Sequence, residues 1–298
     1  MQKAYIAVTD YNWYHFLASQ LDIDEVNFWQ PSGSVQFKAL QPGEPFLFKL
    51  HSPKDSIVGG GFFVRWVRLP VSLSWEAFER KNGAGSLYEM EQRIGKYRHG
   101  PEGSEIGCIL LGSPFFFREN EWIRAPSDWK RQTVQGKGYS LTEGEGSRIW
   151  NEIRGRIALK LIPPAPRYGK PIEILPRIGQ GIFRAMVTEA YSRRCAFTGE
   201  RVLPTLEAAH IKPYANNGPH SLGNGVLLRS DLHRLFDKGY LTITPDYKVD
   251  VSRKIQEEFH NGREYYALKG QAIRLPVRTE ERPVENFLEW HNKETFLK

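Results

Sequence analysis

The stretch CAFTGERVLPTLEAAHIKPYANNGPHSLGNGVLLRSDLHRLFDKG, from Cys195 to Gly239, constrains this chain more than any other. Leu203, Leu206 and the Ala208-Ala209-His210-Ile211 run read as a short hairpin whose second strand carries His210 toward Lys212 and Pro213. A polar Gly/Asn/Pro loop, Tyr214 to Gly223, crosses to Asn224, and Val226, Leu227 and Leu228 then run apolar into Ser230, a good helix N-cap. Asp231 to Asp237 fit two helical turns, and Lys238-Gly239 stops them, because glycine takes the left-handed conformation that ends many helices. His233 and Asp237 stand four residues apart, a spacing that places both side chains on one helix face. Asp237 falls in the last turn, where the helix dipole disfavours a carboxylate by roughly 0.3 to 1 kcal/mol, and a nearby cation would offset that cost.

This strand, loop and helix resemble the ββα-metal nucleases, specifically the HNH endonucleases of bacterial restriction systems, over about residues 180 to 245. The resemblance implies that His210 is the general base, that Asn224 fixes the loop and helps hold that base, and that His233 is a metal ligand. Asp237 matches a second ligand of some members. The chemistry suits these roles, since a phosphodiester is attacked only when water is deprotonated beside it and the departing oxygen is neutralised. Two departures stand out. Many members carry a ligand immediately before the base, where this chain has Ala209; Glu207, on the same strand face by period-two alternation, is a candidate substitute. Many also brace the motif with paired CxxC knuckles, whereas Cys195 has no second cysteine near it, so no structural zinc is expected. Mg²⁺ or Mn²⁺ is the expected ion, with Co²⁺ or Ni²⁺ as further options. Asp237 is read equally as a salt-bridge partner of Arg234 or Lys238, and His220, His260 and His291 as surface or hydrogen-bonded core residues.

A length of 298 residues suggests about two domains, and 40% hydrophobic content supports ordinary cores. No segment reads as a membrane span, the N-terminal MQKAYIAVTD lacks a secretory pattern, and Cys108 and Cys195 lie too far apart in sequence to suggest a disulfide framework. A cytoplasmic protein is expected. The net charge of +7 suits a protein that approaches a polyanion. Arg184, Arg193, Arg194, Arg201 and Lys212 are candidate phosphate contacts, with solvated charge as the competing reading.

The N-terminal part reads as strands, Ala4 to Val8, Pro45 to Leu50, Phe62 to Leu69, Cys108 to Leu111 and Phe115 to Phe117, with Asp10 or Asn12 capping a short helix through Leu17. Ser86 to Glu89 is a capping box that starts a helix to about Tyr97. The pattern is a small β-barrel with helices outside it. Its PGEPFLFKL and SIVGGGFFVRW stretches resemble the PUA-like superfamily, which includes the EVE, ASCH and SRA domains. That resemblance implies a nucleic-acid reader that holds a flipped, modified base between aromatic rings. Tyr11, Trp13, Trp29, Phe37 and Trp66 are the candidate cage, although aromatics on barrel strands more often belong to the core.

Between the halves, Thr142 to Glu145 reads as another capping box, with Ile149, Trp150, Ile153, Ile157 and Leu161 at helical spacing behind it, then a stiff PPAP run. Gly179 to Tyr191 reads as a helix with Phe183, Met186, Val187 and Ala190 inward. After the motif, Leu241 to Val251 and Tyr265 to Leu268 read as strands and Val284 to Phe296 as a helix. The expected fold is therefore α+β: a PUA-like barrel at 1–125, a helical linker at 126–178 and an HNH nuclease domain at 179–298. The expected function is metal-dependent cleavage of double-stranded DNA, with the N-terminal part reading a modified base and a homodimer forming on DNA, because one such site cuts one strand. Two alternatives fit the same residues: a non-catalytic module that binds modified nucleic acid, and a nuclease switched on by a small nucleotide in the barrel.

Overall fold

The computed structural model describes residues 3–98, 105–130, 132–161 and 178–298. It is mixed α+β and divides into two compact units, Met1–Gly179 and Gln180–Lys298. Among the described residues no helix is long and apolar enough to cross a membrane.

In the first unit the strands are β1 (Lys3–Thr9), β2 (Glu25–Gln30), β3 (Pro45–Leu50), β4 (Ser56–Leu69), β5 (Ile106–Phe116), β6 (Ile123–Arg124) and β7 (Gly136–Ser140). They form one sheet in the order β2-β5-β4-β3-β1-β7, with β6 on β4. Only β1 and β3 run parallel. The closed barrel expected from sequence is not found among the described residues, since β2 and β7 stay at opposite ends of the strand order. The sheet instead bends where β4 slips register against β5, between Gly60 and Phe62 and again between Phe63 and Arg65, because each bulge adds local twist. Glycine is required on this strand: a Cβ at Gly59 would sit 2.3 Å from the Phe115 carbonyl oxygen. Aromatic and branched residues fill one core, in which Trp13, Phe46 and Phe48 pack with Val58 and Leu111.

Helices α1 (Tyr11–Ala18), α2 (Val71–Phe78) and α3 (Leu87–Tyr97) flank the sheet. The Ser86 hydroxyl caps α3 by accepting from the Glu89 amide, while the Glu89 carboxylate reaches Gly85 instead of closing the box on Ser86. The stretch expected as a linker is, as far as it is described, part of this unit. β7 pairs with β1, and Ile149 and Ile153 of α4 (Gly144–Leu161) are buried with Ala4, Ile6 and Leu47, as an apolar helix stripe requires. That helix starts one residue later than an N-cap at Thr142 would set it. The PPAP run lies outside the described residues.

The second unit begins with α5 (Gln180–Ala190), whose Ile182, Phe183, Ala185, Val187 and Ala190 are buried; Met186 is only half-buried. The hairpin differs from expectation. Leu203–Thr205 form a single 3₁₀ turn, and β8 (Leu206–His210) pairs with β9 (Gly225–Arg229), so His210 ends the first strand and the long loop is the hairpin connection. Next comes α6 (Ser230–Asp237), whose cap position is Arg229 rather than Ser230. It ends as a Schellman motif: Gly239 is left-handed, Gly239 N–H donates to Phe236 and Tyr240 N–H to Leu235. β10 (Leu241–Ile243) and β11 (Val249–Val251) pair antiparallel, followed by α7 (Lys254–Phe259), α8 (Arg263–Tyr266) and α9 (Glu285–Glu294). Tyr265 and Tyr266 are thus helical, not in a strand; the Tyr266 hydroxyl donates to the Ser252 carbonyl, which anchors α8 as a helix.

His291 locks α9 onto this unit. Its Nε2 faces the Phe236 carbonyl, which can only accept, so Nε2 carries the proton and Nδ1 accepts from the Thr242 hydroxyl. Burial pushes the ring's pKa down to about 4. An unfolded histidine binds a proton below about 6.5, so stability is lost as pH falls from about 6.5 toward about 4, by about 3 kcal/mol for this ring. Urea unfolding at pH 6.5, 5.5 and 4.5 should show that His291→Gln, which cannot take up the proton, has a shallower acid dependence than the parent by close to one proton near pH 5.5.

Candidate active site

The site is built on the loop that joins β8 to β9. Asn224, fully buried, clamps both ends of that loop. Its Oδ1 accepts from the Lys212 amide at 2.8 Å, and its Nδ2 donates to the Lys212 and Pro219 carbonyls at 2.9 Å each. Lys212 follows His210 by two residues and Pro219 precedes His220, so one amide side chain brings two histidines together.

They meet at hydrogen-bond distance, with His210 Nε2 2.9 Å from His220 Nδ1. Phe183 of α5 stacks on His210, centroids 3.9 Å apart and planes 13° from parallel, and Tyr214 stacks on His220 at 4.8 Å and 15°. Gly225, opposite His210 in the ladder, makes room: a Cβ there would lie 2.5 Å from Val187 and 3.0 Å from the Phe183 ring. Burial, then the neighbouring His220 and His233, lowers the His210 pKa to about 4, so the ring is neutral at pH 7.

On α6, His233 is held between two carboxylates. Glu207 Oε2 is 2.6 Å from Nδ1, and Asp237 Oδ2, one turn on, is 3.2 Å from Nε2. The two lie on opposite ring nitrogens, so Glu207 does not share a ligand position with Asp237. Ala209 is fully buried and offers nothing in its place. Among the described residues no group of three His, Cys, Asp or Glu side chains is gathered to hold a metal. Two donors nevertheless fit one ion. If Nδ1–H donates a hydrogen bond to Glu207, a neutral ring turns a bare lone pair at Nε2 toward an anionic oxygen, and that contact is attractive only with a proton or a cation between them. Ligands at right angles around an ion such as Mg²⁺, each about 2.1 Å away, are themselves about 3 Å apart. Burial raises the Asp237 pKa, His233 opposes that shift and Glu207 adds to it, as expected for a carboxylate beside a second anion.

The candidate cations lie around the same unit. Arg184 and Arg194 are half-buried and Arg201 is exposed, whereas Arg193 is paired with Glu189 at 2.8 Å and Lys212 Nζ sits 5.5 Å from the Trp290 ring. Asp231 engages the Arg229 guanidinium through two bonds of 2.6 and 2.8 Å.

The first unit has its own cavity, of about 370 Å³, within the range of small-ligand sites. Trp13, Trp29 and Phe37 of the expected cage line it. Tyr11 and Trp66 do not: Tyr11 lies under the Lys54 ammonium, and the Trp66 indole donates to Gln30. The Trp13 and Trp29 indoles both donate to the Asn82 carbonyl, which fixes the two rings. Sequence reading missed the polar side. Asp10, the N-cap residue of α1 whose side chain makes no capping bond, accepts from the Tyr97 hydroxyl at 3.1 Å and lies 3.6 Å from His51 Nε2, and all three line the cavity. Burial and then Asp10 raise the Tyr97 pKa. His220 was missed too; its only signal was a second histidine inside the loop bounded by His210 and Asn224.

Residues 195–244 match the HNH endonuclease family, so this segment of the second unit is an HNH endonuclease domain. A mutant ASCH protein from Zymomonas mobilis is similar at 12% identity and a TM-score of 0.36, over 50% of this chain and 96% of that one. The ASCH protein without that mutation gives 13% and 0.27, over 57% and 90%. A modification-dependent restriction endonuclease, TagI, is similar at 14% identity and a TM-score of 0.28, over 96% of this chain and 80% of that one. No curated protein matches the chain.

Asn224→Ala should cost about 2–3 kcal/mol, because it removes three bonds and strands buried backbone groups. Urea unfolding would measure the loss, and hydrogen exchange at the Lys212 amide should accelerate ahead of exchange in β8.

Proposed function

We propose that this protein is a divalent-metal-dependent HNH endonuclease that hydrolyses double-stranded DNA carrying a modified base. The observation that carries the nuclease reading is the pairing of a neutral, half-buried imidazole at a strand end with a histidine and an aspartate one helical turn apart. His210 removes the proton from water, the oxygen–phosphorus bond forms in line, and the bond to the 3′-oxygen breaks. His233 through Nε2, together with Asp237, would hold Mg²⁺ or Mn²⁺, which supplies charge stabilisation at the phosphate and the leaving oxygen. Glu207, on Nδ1, orients the His233 ring as carboxylates behind metal-bound histidines do. Asn224 holds the loop. Arg184, Arg194, Arg201 and Lys212 contact phosphates. A homodimer forms on DNA, each chain cutting one strand.

The finer reading assigns the cavity of the first unit to a flipped base. What supports it is the combination of indole-fixed aromatic walls with a carboxylate, a phenol and an imidazole at one side, since a base taken from its stack needs a ring to lie on and polar groups at its edge.

A matched panel of unmodified, methylated, hydroxymethylated, glucosylated and phosphorothioated DNAs tests both readings. With Mg²⁺ or Mn²⁺ the parent should cut at least one member, and His210→Ala or added chelator should abolish cutting. Trp29→Ala should reduce preference among the DNAs while residual cutting remains. Equal cutting by parent and His210→Ala would end the nuclease assignment; indifference to modification in the parent would end the base-reading one. Calorimetric titration with Mn²⁺ provides a separate check. Glu207→Gln should weaken binding roughly ten- to a hundredfold, and His233→Ala by more.

A further inference from the structure

We propose that His220 is the positioning residue for the base: its Nδ1 accepts the Nε2–H of His210 and thereby leaves the Nδ1 lone pair of His210 as the proton acceptor. The inference rests on the nuclease reading: geometry fixes the contact between the rings, and the need for a free lone pair on His210 fixes its direction.

Two ring nitrogens 2.9 Å apart share one proton, which leaves two arrangements. If His220 were the donor, His210 Nε2 would spend its lone pair on that bond, its Nδ1 would carry the ring's proton, and the neutral ring would have no lone pair left for water. If His210 is the donor, Nδ1 is bare and available. Only the second arrangement makes His210 a base. As the ring then becomes imidazolium, its Nε2–H bond to His220 becomes charge-assisted and strengthens, the part a buried carboxylate plays behind the histidine of a serine protease. Burial, then the neighbouring His220 and His233, holds the ring low on the basicity scale.

The surroundings hold this pairing in place. Phe183 and Tyr214 clamp the two rings from outside, and His210 and His220 themselves meet edge to face at 4.9 Å and 63°. Asn224 binds Pro219, immediately before His220, and Lys212, just beyond His210, so neither ring can drift alone. The other titratable groups facing the pair are His233, from α6, and the Tyr214 phenol. No carboxylate is bonded to either ring among the hydrogen bonds of the described residues, which leaves His220 as the acceptor.

Long-range ¹H–¹⁵N correlation of the histidine rings in the metal-free full chain at pH 7 tests this without any need for activity. The parent should show His210 protonated on Nε2 and bare on Nδ1. His220→Ala should lose that preference, and His220→Asn, which returns an acceptor near the Nδ1 position, should restore it. On a DNA that the parent cuts, kcat should fall roughly a hundredfold in His220→Ala with KM within about twofold, and recover largely in His220→Asn. Circular dichroism identifies a variant that fails to fold, and His220→Gln then replaces it. A parent His210 protonated on Nδ1, or a His220→Ala protein with unchanged tautomer and kcat, overturns the proposal. A parent with the expected tautomer that cuts no DNA sinks the nuclease reading and leaves the ring assignment standing.

Discussion

The arrangement of the second unit depends on one buried amide. Asn224 has no access to water, and each of its bonds goes to backbone of the loop it closes. In a low-dielectric interior an amide and three backbone groups left unpaired would be costly, so the loop has one geometry in which all are satisfied. That geometry sets the positions of His210 and His220. Gly225 then lets β9 come close enough to α5 for Phe183 to lie flat on the His210 ring.

Charge placement follows from this scaffold. A ring pressed between Phe183 and His220 is poorly hydrated, so it stays neutral where a base is needed. His233 comes seven positions after Val226 of β9, and the helix delivers it against Glu207 of β8 on one nitrogen and Asp237 of its own last turn on the other. A carboxylate at a helix C-terminus is disfavoured by the helix dipole, and a cation at Nε2 would offset that. The two histidines thus differ in environment, as the proposed mechanism requires: His210 is stacked and kept neutral, and His233 is framed by two carboxylates.

Much of this was legible in the chain, for reasons that can be named. His210, Asn224 and His233 stand out because each lies beside a local signal, a strand end, an Asn-Gly turn and a glycine-terminated helix, and local signals survive without tertiary knowledge. His220 carried no such signal. Its partner is ten residues away across an irregular loop, and only the Asn224 clamp makes the two neighbours. The hairpin was misplaced because Pro204 and Thr205 make a 3₁₀ turn that hydrophobic alternation cannot distinguish from a strand. Tyr265 and Tyr266 have high strand propensity, which tertiary packing of the Tyr266 hydroxyl overrides. In the first unit, aromatic content predicted a sheet but not which rings face the cavity. Trp13 and Trp29 were separated from Trp66 by the Asn82 carbonyl, a contact that no spacing rule reveals.

In the proposed mechanism an ion sits between His233 and Asp237, on the side of the ring away from Glu207, and faces the phosphate that His210 serves. Anomalous diffraction at the manganese edge, from crystals of the His210→Ala protein with uncut DNA and Mn²⁺, measures it most directly. The account predicts one peak within bonding distance of His233 Nε2 and Asp237 Oδ2, with a DNA phosphate oxygen on the same ion. Density for manganese against Glu207 and Nδ1, or at a place remote from His233 while DNA occupies the site, would contradict it.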